Sequence, residues 1–488
     1  DDTLSYRLTG KFRDADAEYD YSRDDEKFIM GGLTWRPDDA TNLTIVFDHL
    51  HKNGVPGSGG HPVGTDFKRS RFFGEPDYNY RGTDRNTVSA MFDHDFGNGF
   101  SMSVNGRYSK QNTDFGYAYI SSTPNDGSTL AGRSFFGNEA SGENFIGDAN
   151  VQYETDFANV KSRTMLGFQY NNYTGNNATW WGSAPSIDWA NPVYTGAPVN
   201  VPLLSNIGNK QKTKAIYLQQ DFTIAEQWIA TVGLRNDWLD LKQTNNLNNS
   251  TTEADFNEFT SRFGLTYKVT DEWAVYASYA ESVAPPAIGV DPERGDQYEV
   301  GVKYRPDAFP ALFSLAVYNL TKNNISVTDP ITAQPSTIGE VRVRGIDLEA
   351  KAELTNNLSL TAAYSYLDPE IVENGGDGTE GNRPQFVSQH LASLWANYTL
   401  PGSGKIGDMT FGLGGRYTGA YYFTAANTSG AGGNVVFDAA FSYEFLDNST
   451  LEVNVSNLFD KKYVAYGGFG ADFYNPGREI TATLRRTW

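Results

Sequence analysis

Apolar and polar residues alternate with a period of two along most of the chain, and the alternation breaks only at turns. In 450–456, Leu451, Val453 and Val455 interleave with Glu452, Asn454 and Ser456. On an extended strand this spacing gives one greasy face and one polar face. Trp273, Val275, Ala277 and Tyr279 share a face in the same way within 271–279. A soluble sandwich would alternate too, so periodicity alone does not separate membrane from water.

The connections are more discriminating. One set is short and built from turn-forming residues: Pro37-Asp38-Asp39-Ala40-Thr41-Asn42, Gly97-Asn98-Gly99, Asp156-Phe157-Ala158-Asn159, Ala225-Glu226-Gln227, Thr270-Asp271-Glu272, Thr355-Asn356-Asn357 and Asp447-Asn448-Ser449. Between them fall long polar stretches near 52–83, 119–140, 174–208, 242–252, 283–292, 321–337, 369–386 and 422–433. A meander whose every second connection is long gathers the long loops at one end, as in outer-membrane barrels. The spacing predicts about twenty strands: 4–17, 26–36, 43–52, 84–96, 100–118, 141–156, 160–173, 209–224, 227–241, 253–268, 271–282, 293–305, 310–320, 338–354, 357–368, 387–400, 408–422, 434–446, 450–466 and 478–488. Several exceed the roughly ten residues that cross a bilayer, so the wall should rise beyond the lipid on the long-loop side.

Trp35, Trp228, Trp273 and Tyr443 lie near strand ends, where interfacial girdles would place them. In the last stretch Ile480, Ala482, Leu484 and Trp488 share a face, interrupted by Arg486. Bacterial barrels commonly end on an aromatic; Arg485-Arg486 would also suit the last strand of a soluble sheet.

Composition agrees with strands and turns: 49 of 488 residues are Gly, 14% are aromatic, and Tyr and Phe number 29 and 30. With no Cys, neither disulfides nor thiolate metal sites are available. The five His are scattered; His49 and His51 would share a strand face, as a two-ligand surface metal pair or as two polar residues on a wet wall. A net charge of −20 would repel nucleic acid. No apolar run is long enough for a transmembrane helix and no signal segment opens the chain at Asp1. The fold class expected is all-β, a transmembrane antiparallel barrel.

Seven segments carry a family likeness: Ser5-Tyr6-Arg7-Leu8-Thr9-Gly10, Thr34-Trp35-Arg36-Pro37-Asp38-Asp39, Phe73-Gly74-Glu75-Pro76-Asp77-Tyr78, Gln297-Tyr298-Glu299-Val300-Gly301-Val302-Lys303-Tyr304, Val317-Tyr318-Asn319-Leu320-Thr321-Lys322, Arg344-Gly345-Ile346-Asp347-Leu348-Glu349-Ala350 and Asn457-Leu458-Phe459-Asp460-Lys461-Lys462-Tyr463. Through them the chain resembles TonB-dependent siderophore receptors of the bacterial outer membrane, specifically the ferrichrome-type hydroxamate branch. That resemblance implies a globular plug inside a barrel of about twenty-two strands. Residues 1–488 would then be one barrel domain, starting at the family's third strand, with the plug and first two strands missing. An incomplete chain, a truncation or a natural plugless pore would each account for this.

No phosphate loop, nucleophile elbow or His-containing metal motif is present, so no catalytic residue, intrinsic cofactor or metal site is expected. A ferric hydroxamate arrives with its iron chelated, so the protein should offer aromatic contact area and polar tips rather than metal ligands. The resemblance implies that Phe115, Tyr117 and Trp181 line the siderophore pocket, with Tyr119 and Trp180 as neighbours. The family's other aromatic cluster is replaced by Gly54-Val55-Pro56-Gly57-Ser58-Gly59-Gly60-His61, leaving the identity of the siderophore open. Tyr421 and Tyr422 fit a girdle or a pocket equally. The implied partners are the TonB–ExbB–ExbD complex acting through a plug, outer-membrane lipid and lipopolysaccharide, and phages or toxins that use exposed loops, around a monomer. The alternatives are a passive porin-like channel, an engineered plugless barrel, or a soluble or surface adhesion protein built from sandwiches.

Overall fold

The computed structural model describes residues 3–196, 200–286, 288, 290–328, 335–403, 406–446, 448–468 and 470–487, and these carry strands and turns but no helix. In chain order the strands are β1 (Leu4–Arg13), β2 (Arg23–Asp38), β3 (Thr41–Val55), β4 (His61–Pro62), β5 (Tyr80–Gly97), β6 (Phe100–Ser122), β7 (Leu130–Phe157), β8 (Val160–Asp188), β9 (Leu203–Ile224), β10 (Trp228–Asn245), β11 (Ser250–Lys268), β12 (Trp273–Ala284), β13 (Glu293–Tyr304), β14 (Ala311–Thr328), β15 (Pro335–Thr355), β16 (Leu358–Glu373), β17 (His390–Leu400), β18 (Met409–Thr418), β19 (Tyr421–Tyr422), β20 (Gly430–Ala431), β21 (Asn434–Leu446), β22 (Ser449–Ser456), β23 (Val464–Gly468), β24 (Ala471–Tyr474) and β25 (Glu479–Arg486). Twenty of them form one antiparallel meander in chain order. The other five are short pieces, β19 with β20 and β23 with β24 and β4, among the long loops. Among the described residues no ladder joins β25 back to β1.

Every strand expected from the alternation is present, and the turn-side ends agree closely. Ala225 and Glu226 both take positive φ, 50° and 60°, and Asn98 and Asn448 do likewise at 52° and 63°. This backbone matches the twist of flanking strands in a tight hairpin. Asp447 and Trp488 lie outside the described residues.

The loop-side ends are where expectation fell short. β7 and β8 run to Leu130 and Asp188, far into stretches expected as loops, and 242–252 is strand except for the turn at 246–249. Above the bilayer both faces meet water, so pairing continues without apolar alternation. Polar links such as Asn138 Nδ2 to Thr179 Oγ1, 3.2 Å, support it instead. Three expectations overreached. β1 stops at Arg13, β18 at Thr418, and β22 at Ser456, where Asn457 turns with φ 49°; Val464–Gly468 then joins the loop sheet rather than the wall.

The two faces of the wall differ as a barrel in lipid requires. On one face Leu166 (53% exposed), Leu265 (46%) and Val300 (57%) stand open. So large an apolar surface would be a liability in water and is stable against acyl chains. The alternate residues are polar and paired, as in Arg235–Asp237 (2.7 Å) and Tyr217 Oη donating to Asp148 (2.9 Å). At the short-turn end Trp228 stacks on Tyr267 at 4.3 Å and Trp273 on Tyr304 at 4.2 Å, forming the lower girdle. Tyr318 lies over Gly345, where any Cβ would come within 2.3 Å of the ring. The glycine in the Arg344–Ala350 segment is thus the seat of a cross-strand tyrosine.

Candidate functional site

β6 pairs without a slip from Phe100 to Ile120, so residue parity carries straight up the strand. Arg107, Ser109, Gln111 and Thr113 lie on the polar face, and Phe115, Tyr117 and Tyr119 continue it above the lipid. Phe115 and Tyr117 have ring centroids 5.0 Å apart, and Tyr117 and Tyr119 stack at 4.8 Å with planes 18° apart. Tyr117 is opposite Phe136 and Phe136 opposite Trp181, so three adjacent strands place aromatics in one row on that face. The Trp181 indole N–H donates to the Tyr119 hydroxyl at 3.1 Å, while the ring stays 44% exposed.

Four of the five residues singled out from sequence are therefore brought together, and Trp180 is not. It is opposite Gly137 on the other face of the sheet, beside Tyr78. Adjacent strand residues point to opposite faces, so neighbourhood to Trp181 in sequence was the wrong guide. Phe136, 6.1 Å from both Phe115 and Tyr117, completes the bank. It was missed because 119–140 read as a loop; once β7 is drawn down to Leu130, its register identifies Phe136.

The glycine-rich stretch takes the place of an aromatic cluster in an unexpected way. Gly59, at φ 78°, runs so close to the bank that a Cβ would meet the Tyr117 ring at 3.3 Å and Tyr119 at 3.5 Å. On its other side Tyr19 packs on Gly57 and donates its hydroxyl to Gly59 O at 2.9 Å. Burial, reinforced by Glu18, pushes the Tyr19 phenol up to about 12, so it remains a neutral donor. Beyond this stretch a second aromatic group continues: Phe473, 5.0 Å from Tyr466, which is 5.4 Å from Phe386. Tyr421 and Tyr422 belong to this loop layer and not to a girdle, Tyr422 carrying Arg383 over its ring at 4.6 Å.

A dry core holds the loops in place. Phe73, Ile120, Ala131, Ile187 and Ala471 bury one another completely or nearly so. Beside them Glu75 and Arg133 form a 2.6 Å ion pair with both side chains at 0% exposure. Arg133 also donates to the carbonyls of Phe73, Gly74 and Pro185, and Glu75 accepts from Thr195 and Gly196. His61 is fully buried between Phe73 and Tyr474, its ring nitrogens without a well-formed hydrogen bond among the described residues. Desolvation lowers its pKa to about 4. The Asn457–Tyr463 segment then clamps the loop after β4: Arg69 pairs with Asp460 at 2.7 Å and Lys462 with Asp66 at 2.7 Å.

Charge beside the bank is paired. Arg81, opposite Phe115, is engaged by Asp24, which also holds Arg13. His49 and His51 are each taken up by a cross-strand neighbour, Asn86 at 2.9 Å and Asp84 at 2.7 Å. Among the described residues no group of three His, Cys, Asp or Glu is gathered for a metal. The arrangement suits a compact ligand held by ring faces and hydroxyl tips.

Known proteins resemble this chain in sequence and in fold. The sequence profile of the family described as TonB dependent receptor-like, beta-barrel, matches residues 14–458. The ferrichrome outer membrane transporter/phage receptor of Escherichia coli (strain K12) is 33% identical over 537 residues, covering 99% of this chain and 70% of that protein. The ferrioxamine B receptor of Salmonella typhimurium (strain SL1344) is 28% identical, covering 96% of this chain and 70% of that protein. Among solved structures, the siderophore receptor PiuA from Acinetobacter baumannii superposes with a TM-score of 0.87 at 21% identity, over 99% of this chain and 77% of that one.

Proposed function

The chain belongs to the TonB dependent receptor-like β-barrel family, and from that premise we propose that it takes up a ferric hydroxamate siderophore. It is a receptor and transporter of the outer membrane, not an enzyme. The relatives named for ferrichrome and ferrioxamine B support the hydroxamate class. Three hydroxamates neutralise one ferric ion, so the chelate core carries no net charge; an uncharged aromatic bank suits it better than a cationic one. Phe115, Tyr117, Tyr119, Phe136 and Trp181 are the proposed contacts, and the row from Tyr117 through Phe136 to Trp181 is the observation that carries the reading. Iron remains cargo within its chelator, and the transport step is driven by TonB with ExbB and ExbD, as the family name implies for the first of these. The test is binding of ferrichrome and ferrioxamine B to the full-length receptor. Loss of affinity in Trp181→Ala and Tyr117→Ala is the expected result; unchanged affinity for every hydroxamate would remove the site.

The outer wall supports a lipid partner as well. On β9, Lys210, Lys212 and Lys214 are exposed on the same face as Ile216 and Leu218. Lys214 is opposite Tyr170 and Trp238, at the upper aromatic row. Three cations about 7 Å apart just above the apolar band suit the phosphates of lipopolysaccharide. A phage could use the same exposed loops, as the name of the Escherichia coli relative states for that protein.

A further inference from the structure

The rim of the wall is not level. The β10/β11 hairpin climbs to Asn245 and Ser250 and the β14/β15 hairpin to Thr328 and Pro335, while β12/β13 between them stops at Ala284 and Glu293. β12 accompanies β11 only from Lys268 opposite Ala274 to Arg262 opposite Ala280. Above that point β11 has one paired side, facing β10 up to Ser250 opposite Asn245, and one side with no strand beside it among the described residues.

The direction of each backbone group on β11 is fixed. Lys268 N–H donates to Gln227 O on the β10 side, and Ser261 N–H donates the other way, to the Glu281 carboxylate. Main-chain groups alternate sides along an antiparallel strand. Thr251, Glu253, Asp255 and Asn257 therefore turn both N–H and C=O into the notch. The base of the notch is closed by side chains: Glu281 takes Ser261 N–H and hydroxyl, and Arg294 on β13 pairs with Glu258. Natural sheet edges are usually kept short, bulged or interrupted by proline. This one has neither proline nor register shift from Ser250 to Tyr267.

We propose that this edge, Thr251–Asn257, binds an extended cationic peptide segment of another protein at the cell surface by strand addition. Strand addition draws affinity from main-chain pairing and selectivity from the flanking side chains. The flanks here are acidic. Asp255 and Asp296 have no cationic partner within ion-pair distance among the described residues, whereas Glu253, Glu258 and Glu293 are balanced by Lys242, Arg294 and Lys322, and Glu281 is held by Ser261 and Tyr279. The unbalanced carboxylates favour lysine or arginine at alternate positions of the incoming strand.

The probe is a fluorescent eight-residue peptide alternating Lys and Val, titrated into the full-length receptor in detergent. Its Glu/Val counterpart and a version N-methylated at alternate amides serve as comparisons. Asp255→Pro removes one donor from the notch and leaves the β10 ladder intact; Asp255→Lys reverses the charge without touching the backbone. The expected result is saturable binding of the Lys/Val peptide, weakened at least tenfold by either substitution and by N-methylation, with ferrichrome binding unchanged. Absence of saturable binding would overturn the proposal, as would equal binding to the N-methylated peptide, which would mean adhesion to an acidic surface. A receptor dimer in sedimentation that Asp255→Pro dissolves would also overturn it, assigning the edge to a second copy of this chain.

Discussion

Arg133 and Glu75 meet at 2.6 Å with neither side chain reached by solvent, on elements 58 residues apart in sequence. The pair fastens the Phe73–Tyr78 segment to β7, and through Thr195 and Gly196 it also fixes the loop after β8. Removing one partner leaves a buried charge, which costs about 3–5 kcal/mol, whereas replacing both with apolar groups costs far less. Glu75→Leu and Arg133→Met are each expected to expose amides of 67–79 and 185–196 to hydrogen exchange, and the double substitution to restore much of the protection. Equal exchange in all three would show that the pair does not hold the loops.

At the aromatic bank, Trp181→Ala and Tyr117→Ala are each expected to weaken ferric hydroxamate binding about tenfold or more, since a well-packed aromatic contributes roughly 1–2 kcal/mol. Trp180→Ala should leave affinity within about twofold, because its ring is on the opposite face. Equilibrium binding of one chelate to all three variants makes the comparison internal. The contrast between two adjacent tryptophans tests the face assignment apart from any general effect of losing an indole.

His61 makes the loop cap pH-dependent in a definite direction. Burial lowers its folded pKa from 6.5 to about 4, so the opened loop binds a proton that the packed loop excludes. Its contribution is complete above about pH 6.5, declines as the pH falls from there toward 4, and is lost below, about 3 kcal/mol in all. The protection factors of amides 56–68, taken relative to the intrinsic exchange rate at each pH, should fall over that interval. In His61→Phe, which also removes two poorly satisfied ring nitrogens, the acid dependence should flatten.

On the outer wall, changing Lys210, Lys212 and Lys214 together to Gln should leave the melting temperature in plain detergent unchanged. The same triple change should abolish the increase produced by added lipopolysaccharide. Cations near an anionic surface contribute about 1 kcal/mol each. A lipopolysaccharide-induced shift that survives in the triple variant would place the lipid elsewhere on the wall.

How much of this was legible beforehand depended on what disciplines each residue. Inside the bilayer one face must be apolar, so alternation such as Leu451, Val453 and Val455 marked the strands, and turn residues such as Asn98 marked their ends. Above the lipid that discipline lapses, and the upper reaches of β7 and β8 read as loop although their ladders run unbroken through most of the stretch. The site followed the same division. Phe115, Tyr117 and Tyr119 could be placed on one face from spacing alone. Phe136 required the cross-strand register, and Trp180 was misplaced for want of it. The role of Glu75 was invisible, because its partner Arg133 is brought to it only by the packing of the loops.

The clamps from Arg69 to Asp460 and from Lys462 to Asp66 join positions nearly four hundred residues apart in sequence. Contacts of such separation form late, since the intervening chain must first be arranged. The 457–463 segment therefore fastens the mouth, and its two clamps are expected among the last contacts to form, after most of the wall has paired.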